Sequence, residues 1–363
     1  MTNYPYHLSI TSSVSPDYGV MQKGLTDSIC ILGFADAVDP ANENKAYQVF
    51  NVNDALAAFT GSDAYDSTLI KGLIEAYTAG CKDIWLYPIA NMDAYVPEDD
   101  RDSTFWTSLY NYYTDALVQL AESNDIDVLI PYDVDIEEGD FVELFADHCR
   151  DNSRGCLRLA YLPYNGVATN TFTGEDYHIV LVNGIGLFHY PDHFDVDYSA
   201  SMVTSFAGLV SKLNPNVPPD NRQFRNPMLF SSDYEDSEET LEENSIVGFR
   251  KTIDYKRVHN GTLVPTLCYT RGGSSSDFRT LFAVHTVQRL LREIAGLDLI
   301  GSAAYLAEES LKEFFLNWIK RGYARKIDAS FYYNAYELKV DLLIYLPYPV
   351  NDVSVSLIVG PVY

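Results

Sequence analysis

The chain has 363 residues, of which 47% are hydrophobic, and a net charge of −26; this length fits about two domains with full cores. Its strong negative charge disfavours nucleic acid and anionic membranes as partners, because both would repel it. The sequence contains no N-terminal targeting signal and no apolar run of about 18 residues, so we expect a soluble protein made in the cytoplasm, with no membrane partner.

Five cysteines are spread along the chain without a CxxC pair, and their number is odd. Both features favour free thiols in a reducing compartment over a framework of disulfides. The cysteines are Cys30, Cys81, Cys149, Cys156 and Cys268.

The charge is distributed unevenly. Residues 1–245 contain 11 Lys and Arg against 40 Asp and Glu, a net charge of −29, whereas residues 246–363 contain 14 against 11, a net charge of +3. One interpretation is a solvated acidic surface followed by an average last third. The other is a pair of surfaces that meet different neighbours.

Strand and helix patterns alternate through the first two thirds of the chain. Short apolar runs predict strands, and apolar residues at helical spacing predict helices. In the first helix we expect Asn53 to be the N-cap and Gly61 to end the helix. The strands are predicted at 28–36, 82–89, 126–132 and 156–163, with a strand pair or hairpin at 177–190, and the helices at 51–61, 67–80, 103–123 and 140–151. The alternation predicts an α/β unit with a largely parallel sheet.

A change of character follows residue 245. A Pro/Asn-rich loop at 214–227 and an acidic run at 231–245 mark the predicted seam between two domains. Two helices, 277–294 and 302–322, and two strands, 327–333 and 336–346, are predicted after the seam. The core face of the second helix is predicted to comprise Leu311, Phe314, Phe315, Trp318 and Ile319.

Both ends of the chain have a strand pattern. Apolar and polar residues alternate over residues 4–14 and again over residues 351–363. An unpaired strand exposes a row of N–H and C=O groups, and soluble proteins usually cover such an edge. The residues alone favour pairing of both ends within their own chain.

No motif for catalysis or cofactor binding is found. A P-loop, a nucleophile elbow and a Cys–His signature are absent, and Gly184 and Gly186 form only two thirds of a GxGxxG pattern. The segment "DVDIEEGDF" resembles a calcium loop, but Gly139 comes one position late and Leu144 replaces the bidentate Glu. We therefore predict no enzyme activity, no catalytic residue, no metal and no cofactor.

Two short segments have weaker patterns for ligand binding. His and Asp residues crowd the segment 189–198, "HYPDHFDVDY", which could bind a metal, but the spacing matches no known set of ligands and an acidic surface loop is favoured. The basic segment 320–326, "KRGYARK", is too short a footprint for nucleic acid beside so acidic a region.

Several segments resemble the contractile tail sheath proteins of bacteriophages and related contractile injection systems. The resemblance covers most of the chain. Near the start it is carried by "ICILGFAD", "NVNDALAAFTG" and "LIKGLIEAYTAGCKDIWLYPI", and in the middle by "DIDVLIPY", "LFADHCRD" and "CLRLAYLP". The best match is the end, with "GTLVPTLCYTRGGSSSDFRTLFAVHTVQRLLREI", the helix leading to "WIKRGYA", and "ELKVDLLIYLPYPVNDVSVSLIV".

This resemblance implies an α/β (α+β) fold of the sheath type. An outer acidic α/β domain would precede a C-terminal inner domain with two helices and a small sheet, and both ends would be extended strand arms. The implied divisions are 1–19 for the N-terminal arm, 20–245 for the outer domain, 246–349 for the inner domain and 350–363 for the C-terminal arm.

The resemblance also implies a structural function without enzyme activity or cofactor. Six copies would form a ring, rings would stack around the tail tube, and a baseplate signal would trigger contraction that drives the tube through the host envelope. The implied partners are further copies of the chain, the tube protein, and baseplate and tail terminator proteins, in the tail of a virion assembled in the host cytoplasm.

Two sets of residues receive roles from the resemblance. In sheaths the arms add strands to sheets of neighbouring subunits; here the arm residues would be Tyr6, Leu8, Ile10, Val353, Val355, Leu357 and Val359. Contact with an acidic tube would fall to Arg289, Arg292, Lys320, Arg321, Arg325 and Lys326. The alternatives are another baseplate or tail terminator protein with a sheath-like domain, and a metal-binding α/β enzyme.

Overall fold

A computed structural model gives the structure of most of the chain. It describes residues 8–14, 27–59, 67–123, 125–136, 138, 140–152, 158–164, 178–190, 193–212, 229–230, 246–253, 261–267, 290, 294, 304–321, 324–334, 337–345 and 353–359. At both terminal strands and at 40, 189–190, 193–197, 229–230, 250–253, 261–267, 304, 333–334 and 337–338 it describes the backbone alone.

The described residues form fifteen strands and six α-helices. The strands are β1 (Leu8–Val14), β2 (Ile29–Phe34), β3 (Tyr47–Val49), β4 (Ile84–Ala90), β5 (Val128–Pro131), β6 (Leu159–Tyr164), β7 (Ile179–Asn183), β8 (Ile185–Tyr190), β9 (His193–Ser201), β10 (Leu229–Phe230), β11 (Ile246–Ile253), β12 (Gly261–Leu267), β13 (Lys326–Asn334), β14 (Glu337–Tyr345) and β15 (Val353–Val359). The helices are α1 (Val52–Phe59), α2 (Thr68–Ala79), α3 (Ser103–Leu120), α4 (Phe141–Asp151), α5 (Val203–Ser211) and α6 (Ala304–Lys320).

An eight-stranded sheet organises the α/β part, in the order β12-β11-β7-β6-β5-β2-β4-β3. The six central strands are parallel, and the edge strands β3 and β12 are antiparallel to their neighbours. In β2, Ile29 and Ile31 join the core beneath α2 and α5, whereas Cys30 and Leu32 join the core beneath α3 and α4. Burial on both faces explains why the central strands are continuous apolar runs. The predicted parallel α/β sheet is confirmed.

Local capping fixes the ends of the helices. Before α2, the Ser67 hydroxyl accepts a hydrogen bond from the Ile70 N–H, and Gly80 closes the helix at a φ of 105°. The predicted N-cap of α1 is wrong. The helix begins at Val52, so Asn53 is already inside it, and the Asn51 side chain instead accepts from the Asp54 N–H at 3.0 Å. The predicted stop at Gly61 lies outside the described residues.

Of the strand pair or hairpin predicted at 177–190, the two strands are confirmed, but they do not form a hairpin. β7 stays in the eight-stranded sheet, and β8 turns away at Gly184, whose φ is 125°, to pair with β9 in a three-stranded sheet ordered β10-β8-β9. The acidic loop favoured at 189–198 is, from His193 onward, the antiparallel strand β9. Its sequence "HFDVDYSAS" alternates apolar and polar residues, which is a strand pattern hidden among the acidic side chains.

The large sheet crosses the position where the sequence divides the domains. β11 pairs in parallel with β7, Ile246 facing Leu181 and Val247 facing Val182. Strands β11 and β12 therefore extend the sheet that residues 20–245 begin, and the division of the chain into domains stays a prediction. The loop at 214–227 and the acidic run at 231–245 fall outside the described residues.

The C-terminal part contains α6 packed on the hairpin of β13 and β14. The predicted core face of α6 is confirmed: Leu311, Phe315 and Trp318 are buried, and Phe314 and Ile319 are partly buried against them. Of the helix predicted at 277–294, only Leu290 and Ile294 are described, and both are helical and buried. Within the described ranges, no helix is both long and apolar enough to cross a membrane.

Candidate assembly interface

The two ends of the chain meet in a four-stranded sheet ordered β1-β15-β14-β13. β13 and β14 form an antiparallel hairpin, β15 pairs antiparallel with β14, and β1 pairs parallel with β15. Leu8 faces Val353 and Ile10 faces Val355. The ends of the chain therefore form half of one sheet.

The register of this sheet aligns its apolar residues on one face. Val340, Leu342 and Ile344 of β14 are buried in the same core as Leu311 and Trp318 of α6. The facing residues continue this pattern into the terminal strands. In the register, Val353 and Leu8 follow Ile344, Val355 and Ile10 follow Leu342, and Leu357 follows Val340. Because the side-chain period of a strand is two, these residues all belong to the face that α6 covers on β14.

The predicted arm residues are thus paired within the single chain. This is the arrangement that the residues alone favoured, and it places Leu8, Ile10, Val353, Val355, Leu357 and Val359 in one sheet. Tyr6 lies outside the described residues. Pairing of these strands with sheets of neighbouring copies stays a prediction.

Four of the six predicted tube-contact residues lie at the surface where α6 ends and β13 begins. Lys320, Arg321, Arg325 and Lys326 are all exposed, and Arg289 and Arg292 fall outside the described residues. The Lys326 ammonium lies 2.5 Å from the Asp328 carboxylate and 5.0 Å from the centre of the Tyr345 ring. Hydrogen bonding to Asp328 raises the pKa of Lys326, so its charge is retained at physiological pH.

The outward face of α6 also carries apolar side chains that sequence reasoning missed. Tyr305 and Leu316 are 64% and 58% exposed. They stand three helical turns apart on the side opposite Leu311 and Trp318. A helical projection of the sequence contains this signal, since both residues fall outside the predicted core stripe. Leu316 lies one helical turn before Lys320, so the surface beside the basic residues is partly apolar.

One buried carboxyl group of the α/β part already forms an ion pair. Asp133, the first residue of the calcium-loop-like segment, lies 3.1 Å from the Arg101 guanidinium, which also stacks 5.0 Å from the centre of the Phe105 ring. A calcium ion would have to displace Arg101. Among the described residues, no group of three His, Cys, Asp or Glu side chains could hold a metal ion. The side chains of 189–197 fall outside that description.

Among the carboxyl groups that the structure describes on helices, Glu75 has the pKa that is shifted most. It is fully buried, its Oε1 accepts a hydrogen bond of 2.6 Å from the Tyr132 hydroxyl, and burial raises its pKa to about 8. Perturbed carboxyls in clefts are candidates for general acids. Glu75, on α2, instead faces Tyr198 of β9 and Thr204 of α5, where solvent has no access, so its position is that of a structural group.

Comparison with known proteins gives similarity in structure but none in sequence. No protein-family model matches the chain, and no curated protein matches it. A sheath tail protein from Desulfitobacterium hafniense is similar in structure, with a TM-score of 0.64, 12% identity, and coverage of 96% of this chain and 100% of that one.

Two assemblies of the anti-feeding prophage contain similar chains. A chain of its baseplate has a TM-score of 0.63, 12% identity, and coverage of 97% of both chains. A chain of its helical sheath in the contracted state has a TM-score of 0.56, 12% identity, and coverage of 92% of this chain and 90% of that one. Over nearly its whole length, this chain therefore has the fold of contractile tail sheath proteins.

Proposed function

We propose that this chain is a structural subunit of a contractile tail sheath. Copies would form six-membered rings that stack around a tail tube and shorten to drive the tube through a cell envelope. The observation that carries the proposal is the shared fold, which extends over 96% of the chain in the comparison with the sheath tail protein. The alignment includes nearly the whole chain, so it cannot be confined to a widespread α/β core.

Strand exchange between subunits would join the rings. The four-stranded sheet is built from three separate stretches of chain, β1, the β13–β14 hairpin and β15. Backbone hydrogen bonds are the same whichever copy supplies a strand, and the alternating side chains supply the specificity. We assign this role to the seven arm residues named above, Tyr6 included. A mesh of shared sheets would hold the rings together while subunits move.

The basic end of α6 would face the tube. Lys320, Arg321, Arg325 and Lys326 are exposed in the part of the chain whose net charge is positive, whereas the α/β part is strongly acidic. Charge of this kind steers and orients contacts more than it strengthens them. Leu316, one helical turn before Lys320, would supply apolar surface for the desolvated centre that a stable contact needs. Arg289 and Arg292 would belong to the same surface.

Contraction would draw its energy from new contacts between subunits. The sequence has no nucleotide-binding loop to supply energy by hydrolysis. Specific contacts between copies need at least about 1,000 Å² of buried surface. The acidic α/β part would lie outside, where like charge keeps particles apart.

A second function has its own observation. The baseplate of the anti-feeding prophage contains a chain that matches 97% of this one, so a baseplate component or tail terminator is the alternative. Such a protein would form a single ring and stop, whereas a sheath subunit continues into a helix.

Negative-stain electron microscopy distinguishes the two functions. The full chain is compared with a chain that ends at residue 349 and so lacks the C-terminal strand. A sheath subunit gives hollow six-fold tubes from the full chain and none from the shortened one. Single rings from the full chain would favour the baseplate or terminator role. Monomers at every concentration would contradict both.

A further inference from the structure

In the four-stranded sheet, strands from the two ends of the same chain cover the edge of β14 that lies away from β13. This arrangement is termed the closed sheet. β14 pairs with β13 on one side and with β15 on the other, and β1 covers the outer side of β15. The pairing of β15 extends along β14 from Leu338 to Ile344. In this arrangement β14 has no free edge to which a strand from another copy could bind.

We propose that this closed sheet is an autoinhibited state of the free subunit. The terminal strands would block assembly until they are released and exchanged with those of neighbouring copies. The inference rests on the strand exchange of the proposed function. It adds that the unassembled chain occupies its own binding edge.

Tethering favours the closed state at low concentration. A strand joined to its sheet by a short segment competes at an effective concentration in the millimolar range. A strand of another copy at ~1 µM is therefore at a disadvantage of roughly a thousandfold. Exchange forms the same strand pairs in another chain, so the pairing itself contributes no net gain. Contacts elsewhere between subunits must drive the exchange.

Slow nucleation is the expected consequence. The first ring can form only after the pairings of β15 with β14 and of β1 with β15 have been broken in several copies. A formed ring already displays released strands, so further subunits should add more quickly. Assembly followed by light scattering should show a lag, and fragments of finished tubes should remove it.

A reversible lock tests the inference. Asp341 of β14 directly faces Ser356 of β15. Facing residues of antiparallel strands have Cα atoms about 4.5–5.5 Å apart, within the span of a disulfide. The double variant Asp341→Cys/Ser356→Cys, oxidised before assembly with oxidised glutathione, should form a disulfide within one chain. The product should run as a single chain on a non-reducing gel.

The expected result is a loss of assembly that reductant restores. The oxidised double variant should give at least tenfold less polymer than the same protein after reduction. Oxidation of tubes that have already assembled should instead link chain to chain and give a ladder on the gel. Circular dichroism of both forms confirms that the lock leaves the fold intact.

Matched controls separate the lock from the substitutions. The two single variants should assemble equally well in either redox state. The double variant Asp341→Cys/Ser354→Cys is off register, because Ser354 faces Leu343. Diagonal neighbours lie about 7–8 Å apart, beyond the reach of a disulfide. It should therefore remain uncrosslinked and assemble.

Two results would contradict the inference alone, and a third would also contradict the proposed sheath function. If the locked chain assembles as well as the reduced one, the closed sheet does not inhibit assembly. If the disulfide joins two chains, or fails to form, in unassembled protein, the free subunit is not closed. If wild type and reduced variant never assemble although the lock forms, the strand exchange and the proposed sheath function fail, and the inference fails with them.

Discussion

The eight-stranded sheet and the four-stranded sheet are completed in different ways. The central strands of the first are covered by helices on both faces, and their neighbours are supplied by segments of the same α/β part. Among the helices that the structure describes, α6 covers one face of the second, and two of its four strands come from opposite ends of the chain. The first is suited to being a rigid body. The second is suited to taking strands from different copies, because only short strands need to move.

Replacement of a buried tryptophan of α6 should produce the largest difference in stability between the four-stranded sheet and the eight-stranded sheet. Trp318 is fully buried beneath the β13–β14 hairpin, so Trp318→Ala should cost about 3–5 kcal/mol of unfolding free energy. Hydrogen exchange should show amides of β13 and β14 losing protection while those of β2 and β5 keep it. Leu316→Ala, on the exposed side of α6, is the control and should change stability by less than about 0.5 kcal/mol. Equal loss of protection in both sheets would mean that the two parts unfold as one unit.

The buried carboxyl group of Glu75 makes the stability of the α/β part depend on pH. Its pKa is about 8 in the folded chain against an ordinary value of 4.5. Between these pH values the folded state holds a proton that the unfolded state has lost, so the free energy of unfolding falls as pH rises from about 4.5 to about 8. At about 1.4 kcal/mol per pKa unit, the loss is on the order of 5 kcal/mol at most.

The variant Glu75→Gln should remove this dependence. Its neutral amide can still accept the hydrogen bond of Tyr132, and it should be more stable than wild type above pH 8. Denaturant titrations at pH 5, 7 and 9 give the comparison. Glu313→Gln, on the exposed surface of α6, is the control and should follow wild type. Parallel pH profiles for wild type and Glu75→Gln would contradict the assigned cause.

A single methyl group tests how tightly the α/β part is packed. A Cβ atom at Gly208 of α5 would lie 2.8 Å from the Ala76 carbonyl oxygen of α2. Helix propensity alone makes Gly208→Ala stabilising by about 0.5–1 kcal/mol. The steric conflict should reverse the sign and cost about 1–3 kcal/mol. Thermal unfolding shows whether the variant has a lower or a higher midpoint than wild type. A higher midpoint would mean that the two helices can move apart without cost.

Reversal of the charge on the basic end of α6 should leave both the α/β part and the C-terminal part folded. Lys320→Glu/Arg321→Glu changes exposed charges only, so the thermal midpoint should stay unchanged, while binding to co-expressed tube protein should weaken and lose part of its salt dependence. The matched control is Lys45→Glu/Lys82→Glu, which reverses two exposed charges of the α/β part. Equal binding by both double variants would remove α6 from the tube contact.

The sequence predicted the α/β part better than the sheets formed between distant segments. β2 was recognisable because a strand buried on both faces is a continuous apolar run that ends at a turn. β9 was missed because its acidic residues obscured the alternation of Phe194, Val196 and Tyr198. The pairing of β1 with β15 joins opposite ends of the chain, and no local pattern encodes a partner that far away.

The candidate interface was predicted in part for the same reason. Residue types indicated a basic segment at 320–326, and its Lys320 and Lys326 are exposed; the tube contact assigned to them is what the resemblance implies. The exposed Tyr305 and Leu316 depend on which side of α6 the hairpin covers, which is a property of the tertiary structure. Whether a terminal strand pairs within its own chain or with another is a matter of free energy between two states that share the same local sequence.

In an assembled particle, the copy that supplies β15 and β1 to each four-stranded sheet decides whether strands are exchanged. A helical reconstruction by cryo-electron microscopy, at a resolution that traces the backbone, answers this. We expect the strand paired with Leu338–Ile344, and the strand beyond it, to be traced to neighbouring subunits. If both are traced to the same chain as the β13–β14 hairpin, the strands are not exchanged, and the central claim is wrong.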